Sequence, residues 1–120
     1  QFPPDPHYHY QGEEFSQTLR WWTHGIECYG IRPVVIHHAY RCDNPRPAAD
    51  NVDDVMLHWR SIQRIAALLG APRETISPKA VIDLDQYDLG TERTVASWEE
   101  AFGVDLANKK FRQTFQGTQR

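Results

Sequence analysis

A long amphipathic helix is predicted for residues 51–69, whose sequence is NVDDVMLHWRSIQRIAALL. Its apolar residues recur at spacings of three and four, which is the period of one helix face. They are Val52, Val55, Trp59, Ile62, Ala66 and Leu69. Asp50 is placed to cap the amino end, and Gly70 and Pro72 follow the carboxyl end. We expect the apolar face to be buried and this helix to serve packing alone.

Two shorter helices are predicted on either side of this long one. Residues 13–24 begin with two acids, carry one apolar stripe formed by Phe15, Leu19 and Trp22, and are followed by Gly25. Residues 94–102 begin at Thr94 as the N-cap and stop at Gly103, with Val95, Trp98 and Phe102 on one face. We expect Trp22, Trp59 and Trp98 to be among the most buried residues.

Short segments between the helices favour extended structure. The β-branched run in Ile31–Arg41 predicts a buried strand that ends at His37 and His38. Ala80–Leu84 is a second candidate strand, and His7–Tyr10 is predicted to be a short extended segment. Helices alternating with strands indicate an α/β fold.

Composition and charge limit the classes of function. The 120 residues are 40% hydrophobic and 24% charged, which is typical of one globular domain. A net charge of −3 argues against a nucleic-acid-binding surface. No apolar run approaches the roughly 20 residues of a membrane span. Residues 1–106 form the expected domain, whereas residues 107–120 carry four basic residues and no acid and predict a frayed tail.

The chain begins with Gln rather than Met and shows no signal peptide, so we expect a processed product or a piece of a longer protein. Its two cysteines, Cys28 and Cys42, fit no metal motif. We expect free thiols that pack as small hydrophobic side chains, and one disulfide stays open for a secreted parent.

One hypothesis for the chemistry is a metal site of the cupin type. His7, His9 and Glu13 supply two imidazoles on one face of an extended segment and a nearby carboxylate, and His37 or His38 could add a further ligand. A long helix over residues 51–69 would argue against this hypothesis, because a small jelly roll has no place for it.

A second hypothesis is a sugar site. Gly12 precedes the first helix and lets a ligand approach its backbone, and the Glu13 and Glu14 carboxylates can accept hydrogen bonds from hydroxyl groups. His24 stands at the far end of that helix, and His37 can ligate a divalent metal. Because neighbouring residues of a strand point to opposite faces, His37 and His38 cannot both enter one site.

Eight blocks of sequence, in order, resemble one family of enzymes. With x for an unspecified position, they are DPH at 5–7, GEExS at 12–16, RxWTHG at 20–25, VVxHxxxR at 34–41, RP at 46–47, YxLGTERT at 87–94, WEE at 98–100 and GVD at 103–105. Over residues 5–106 they are similar to the C-terminal half of the GlcNAc-transferase family, known from the enzyme that modifies a hydroxyproline of a cytoplasmic ubiquitin-ligase adaptor. Mucin-type polypeptide GalNAc transferases are more loosely similar.

The resemblance implies a GT-A nucleotide-sugar fold and retaining transfer of GlcNAc or a related sugar from a UDP-sugar to a hydroxyl of a protein or glycan. Glu13 and Glu14 would be the catalytic pair. Gly12, Trp22 and His24 would bind substrate. His37 would ligate a divalent metal, expected to be Mn²⁺, and His38 takes that place in the mucin-type alignment. The family's cytoplasmic member and the low cysteine count favour a cytoplasmic location.

This chain departs from the family at its donor side. The nucleotide-binding half, with its Asp-x-Asp metal motif, precedes the matched region, and Asp83-Leu84-Asp85 stands in the wrong block to replace it. We therefore expect a piece that is inactive alone and needs a missing N-terminal half or a second chain. The alternatives are the cupin-like metal protein and a non-catalytic interaction module derived from a transferase.

Overall fold

A computed structural model describes residues 2–9, 12–29 and 54–111. Helix α1 covers Glu13–Thr23 and confirms the helix predicted at 13–24. Leu19 is fully buried in its middle, but Ser16, Gln17, Arg20 and Thr23 are buried with it. Phe15 and Trp22, expected on the same stripe as Leu19, are only half-buried. The inner face of α1 is therefore largely polar and needs hydrogen-bond partners from elsewhere in the fold.

Helix α2 covers Asp54–Leu68, within the helix predicted at 51–69. Residues 51–53 and the predicted cap Asp50 lie outside the described residues. A helix of 15 residues at this point contradicts the cupin hypothesis.

The buried face of α2 differs from the predicted one. Its buried side chains are Ser61, Arg64 and Leu68. Three residues of the predicted apolar face, Val55, Trp59 and Ile62, are exposed instead, with Trp59 at 56%, and we call them the apolar stripe of α2. Of the other predicted members that are described, Ala66 is half-buried and Leu69, just after the helix, is exposed. The expected burial of Trp59 was wrong. Successive side chains on a helix differ in direction by about 100°, so Ser61 and Arg64 lie on a different face from the apolar stripe. That polar face is the buried one because the N-terminal segment, residues 2–9, supplies its hydrogen-bond partners.

Helix α3 covers Val95–Phe102 and confirms the third predicted helix. The Thr94 side chain accepts a hydrogen bond from the Ser97 backbone N–H at 3.1 Å, and Gly103 ends the helix as predicted. Because both capping residues directly flank the helix in sequence, the sequence alone could place the two ends of α3.

An aromatic cluster joins α3 to α1. The Trp98 ring stacks on Phe102 at 5.2 Å between centroids and meets the edge of Phe15 at 5.2 Å. Phe102 also lies edge-on to Trp22, at 5.8 Å. Trp98 is 4% exposed and confirms its predicted burial, whereas Trp22 is half-buried, so its prediction was too strong.

The strand predicted at Ala80–Leu84 was wrong. Single 3₁₀ turns stand at Pro78–Ala80 and Leu84–Gln86, with a third at Arg73–Thr75. The Arg64 guanidinium donates hydrogen bonds to the carbonyl oxygens of Ala80 and Ile82, at 2.9 and 2.8 Å. These carbonyl groups therefore bond to a side chain and not to the backbone of a neighbouring strand. Asp83 has a φ of +53°, a left-handed conformation that a strand does not continue through.

The described part of the predicted extended segment His7–Tyr10 is a turn followed by irregular chain. The Asp5 side chain accepts the His7 N–H at 3.0 Å, and the His9 N–H donates to Ser61 on α2 at 2.8 Å. The backbone N–H groups of His7 and His9 therefore donate to side chains, and no described strand pairs with this segment. The strand predicted over Ile31–Arg41 lies outside the described residues.

Within the described ranges, the strands are β1 (Val104–Asp105) and β2 (Lys110–Phe111), which pair antiparallel across a turn at 106–109. The second strand of this hairpin lies within residues 107–120, the segment for which we expected a frayed tail. The described helices include none long and apolar enough to cross a membrane. Cys28 carries a free thiol whose pKa is raised by burial, and Cys42 is outside the described residues.

Candidate functional site

The predicted catalytic pair lies at the amino end of α1. Glu13 and Glu14 are both exposed in its first turn. The first backbone N–H groups of an α-helix have no partner within the helix, and no side chain in the described part of the chain caps them here. Carboxylate acceptors beside N–H donors suit a ligand that carries many hydroxyl groups.

Gly12 fixes the entry into α1. Its φ is +86°, and a Cβ there would collide with Ile65 Cδ1 of α2. A Cβ would also lie 3.5 Å from Tyr8 Cε1. The left-handed backbone conformation favours glycine at this position, and any larger residue would also require the end of the Ile65 side chain to move. The sequence prediction of a special glycine here is consistent with this geometry, although the contact is with the protein itself.

His24 and Trp22, predicted to bind substrate, lie at the opposite end of α1. The 11 residues of the helix span about 16 Å between the two ends. His24 stacks on Phe2 at 4.2 Å, and its Nε2 lies 3.3 Å from the Asp88 carbonyl oxygen. The structure does not bring His24 close to the Glu13 and Glu14 carboxylates. A single substrate pocket that included all three residues would have to extend along the whole helix.

Trp22 is held by contacts within the protein. Its indole N–H donates to Ser97 Oγ at 2.9 Å, and the Arg93 guanidinium lies over its ring at 4.3 Å. Arg93 also forms an ion pair with Glu27 at 2.5 Å. These contacts fasten the carboxyl end of α1 to the start of α3.

Residues 88–93 wrap the carboxyl end of α1. The Thr23 carbonyl accepts the N–H groups of Glu92 and Arg93 at 3.0 and 3.2 Å, and the Thr23 hydroxyl accepts the Gly90 N–H at 3.0 Å. A Cβ on Gly90 would collide with Thr23 O and come within 2.6 Å of His24 N. Part of the family-like block at 87–94 thus has a packing role.

We expect Gly90→Ala to destabilise the fold by about 1–3 kcal/mol or more, because the methyl group meets backbone that cannot move aside. Urea denaturation followed by tryptophan fluorescence measures the change. Thr91→Ala, at an exposed neighbouring position, is the control and should alter stability by less than about 0.5 kcal/mol. Equal stability of the two variants would contradict the close packing at Gly90.

A buried cluster of charged groups positions α1 and α2. Arg64 Nε donates to Asp5 Oδ2 at 2.6 Å, with side chains only 1% and 2% exposed. Arg20, also buried, donates to the Pro3 carbonyl at 3.1 Å. Both guanidinium groups lie over the Tyr87 ring, at 5.1 Å for Arg20 and 5.8 Å for Arg64. The cluster ties the N-terminal segment to the two helices and to the chain near Tyr87.

Burial lowers the pKa of the Arg20 guanidinium, and the Asp5 carboxylate opposes that shift. Arginine stays protonated in proteins, so the Arg20 guanidinium keeps its charge at neutral pH. Sequence reasoning missed these residues as structural partners. Asp5 and Arg20 appeared only inside family-like blocks, and nothing in the pattern marked Arg64 as buried.

The predicted metal ligands His37 and His38 lie outside the described residues. Among the residues that are described, no group of three or more His, Cys, Asp and Glu side chains could hold a metal ion. This excludes His7, His9 and Glu13 as a preformed ligand set, which was the core of the cupin hypothesis.

The described fold therefore presents a helix whose uncapped, doubly acidic end suits a hydroxyl-rich ligand. Comparison with family models gives a match: a model described as Glycosyltransferase (GlcNAc) matches residues 1–108. The chain belongs to this family of GlcNAc glycosyltransferases. No curated protein and no solved structure matches it.

Proposed function

We propose that this chain is the C-terminal part of a UDP-sugar-dependent GT-A enzyme. It would transfer GlcNAc or a related sugar, with retention, to a hydroxyl of a protein or glycan. The family match over residues 1–108 carries the proposal, because it spans most of the chain and includes both ends of α1.

Glu13 and Glu14 are the proposed catalytic pair. Their exposure and the absence of a side-chain cap among the described residues leave room for a sugar at this end of α1. A carboxylate can accept two or more O–H donors, and such charge-assisted hydrogen bonds are about twice as strong as neutral ones. One carboxylate would hold sugar hydroxyls while the other faces the acceptor hydroxyl.

In the complete enzyme, we expect Glu13→Gln and Glu14→Gln each to lower the turnover of sugar transfer well over tenfold. The amide loses the charge but keeps the shape, so the folded structure should persist. Turnover is measured as transfer and as hydrolysis of the UDP-sugar, with circular dichroism as the folding check.

Glu74→Gln provides the matched control, because Glu74 is an exposed acid on a different element, the 3₁₀ turn Arg73–Thr75. It should keep normal turnover. If Glu13→Gln and Glu14→Gln also keep normal turnover, the catalytic assignment fails and the non-catalytic module becomes the better hypothesis.

A divalent cation, Mn²⁺ in the first instance, is proposed as the cofactor. His37 is the proposed ligand from this chain, with His38 as the alternative register, and carboxylates of the missing half would complete the set. The cation would neutralise charge on the departing UDP. This proposal rests on the family resemblance, since both histidines lie outside the described residues.

A covering partner is also proposed for this chain. The apolar stripe of α2 leaves Val55, Trp59 and Ile62 exposed on a helix whose other face is buried. Such a surface supports the proposal that an N-terminal half or a second chain packs against it. Without that half the chain would lack the donor site and be inactive alone.

A further inference from the structure

A cavity of about 460 Å³ lies between the N-terminal segment and α2. The N-terminal segment contributes His7, Tyr8 and His9, α2 contributes Leu57 and Arg60, and the turn Pro78–Ala80 contributes Lys79. This volume falls within the range of small-ligand sites. The lining combines apolar walls with basic side chains, and neither Glu13 nor Glu14 belongs to it.

The cations that line this cavity have no carboxylate partner among the described residues, unlike three arginines elsewhere in the fold. Arg64, Arg73 and Arg93 each form an ion pair with a carboxylate. Arg60 and Lys79 form none with any residue that the structure describes. A carboxylate does stand nearby, since Asp83 Oδ2 lies 3.7 Å from His7 Nε2 and is half-exposed. Two cations therefore face the cavity against that one exposed acid.

We propose that this cavity is an anion-binding site that holds a phosphate or carboxylate group through Arg60 and Lys79. The apolar walls formed by Leu57 and Tyr8 exclude part of the water, which strengthens the attraction of the two cations for an anion. Arginine adds paired N–H donors that match a phosphate or carboxylate, and lysine adds a point charge.

The cavity adjoins the proposed sugar site through one side chain. Tyr8 lines the cavity, and its Cε1 lies 3.5 Å from the Cβ position at Gly12, directly before Glu13. An anion held here would therefore belong to one of the two substrates of the transfer. It would be either part of the sugar donor bound at α1 or part of the acceptor. That assignment to a substrate rests on the proposed function, whereas binding of the anion itself does not.

Titration of the full 120-residue chain with inorganic phosphate, at constant ionic strength, tests the binding step. We expect saturable shifts of the His7 and His9 ring signals in NMR spectra. The double variant Arg60→Gln/Lys79→Gln should weaken phosphate binding at least tenfold. Arg73→Gln/Lys110→Gln removes the same charge elsewhere and should bind within twofold of the parent chain. Absence of a saturable shift, or equal weakening in the two double variants, overturns the proposal.

The complete enzyme then distinguishes the two sources of the anion. If the donor diphosphate occupies the cavity, Arg60→Gln/Lys79→Gln raises the KM for the UDP-sugar at least fivefold. If the acceptor supplies the anion, the variant raises the KM for acidic acceptor peptides and leaves that for neutral ones unchanged. Unchanged KM values for both substrates overturn the substrate role. Phosphate binding without any sugar transfer would instead refute the proposed function and leave the anion site intact.

Discussion

Arg64→Met is expected to destabilise the fold by about 3–5 kcal/mol, the usual cost of leaving one partner of a buried ion pair uncompensated. Methionine keeps much of the length and the apolar stem of arginine, so the loss reports the charge and its hydrogen bonds. Asp5 would lose its 2.6 Å partner, and the carbonyls of Ala80 and Ile82 would lose their donor. Urea denaturation with fluorescence and circular dichroism measures the change.

Two further variants sharpen this experiment. Arg73→Met breaks an ion pair with Asp85 whose side chains are both exposed, and stability should change little. The double variant Asp5→Asn/Arg64→Met removes both charges and should regain part of the lost stability, since no buried charge then stands alone. If Arg64→Met were as stable as Arg73→Met, the buried cluster would not be what holds α1 and α2 together.

Trp98→Ala is the second variant with a large expected effect, a loss of about 3–5 kcal/mol. Its ring is 4% exposed and contacts Phe15 and Phe102, so alanine leaves a cavity between α1 and α3. Trp59→Ala removes the same side chain from a site that is 56% exposed and should cost less than about 1 kcal/mol. Thermal unfolding of the two variants measures the difference, and similar losses would show that the apolar stripe of α2 is packed in the isolated chain.

Helix positions were predictable because their signals are local. Thr94 and Gly103 directly flank α3 and mark its two ends. Gly12, followed by two acidic residues, marks the start of α1. Burial of α2 was not predictable in this way. Its polar face turns inward because Asp5, 59 residues away in sequence, pairs with Arg64, and no pattern within α2 encodes that partner.

The same distinction separates the parts of the candidate site. Glu13 and Glu14 lie where a first-turn prediction placed them, exposed at the end of α1. Trp22 and His24 carried the same family-like signal, but their contacts come from Phe2 and from residues 88–102, which sequence order alone does not bring to α1. The strand predicted at Ala80–Leu84 failed for a similar reason, because Arg64 occupies its carbonyl groups.

A crystal structure of the complete enzyme with bound UDP-GlcNAc would test most directly the claim that α1 presents its carboxylates to the sugar. We predict a Glu13 or Glu14 carboxylate oxygen about 2.5–3.0 Å from a hydroxyl oxygen of the GlcNAc ring. A sugar bound with both carboxylates farther than about 3.5 Å from every hydroxyl, and with no water bridging them, would contradict the claim.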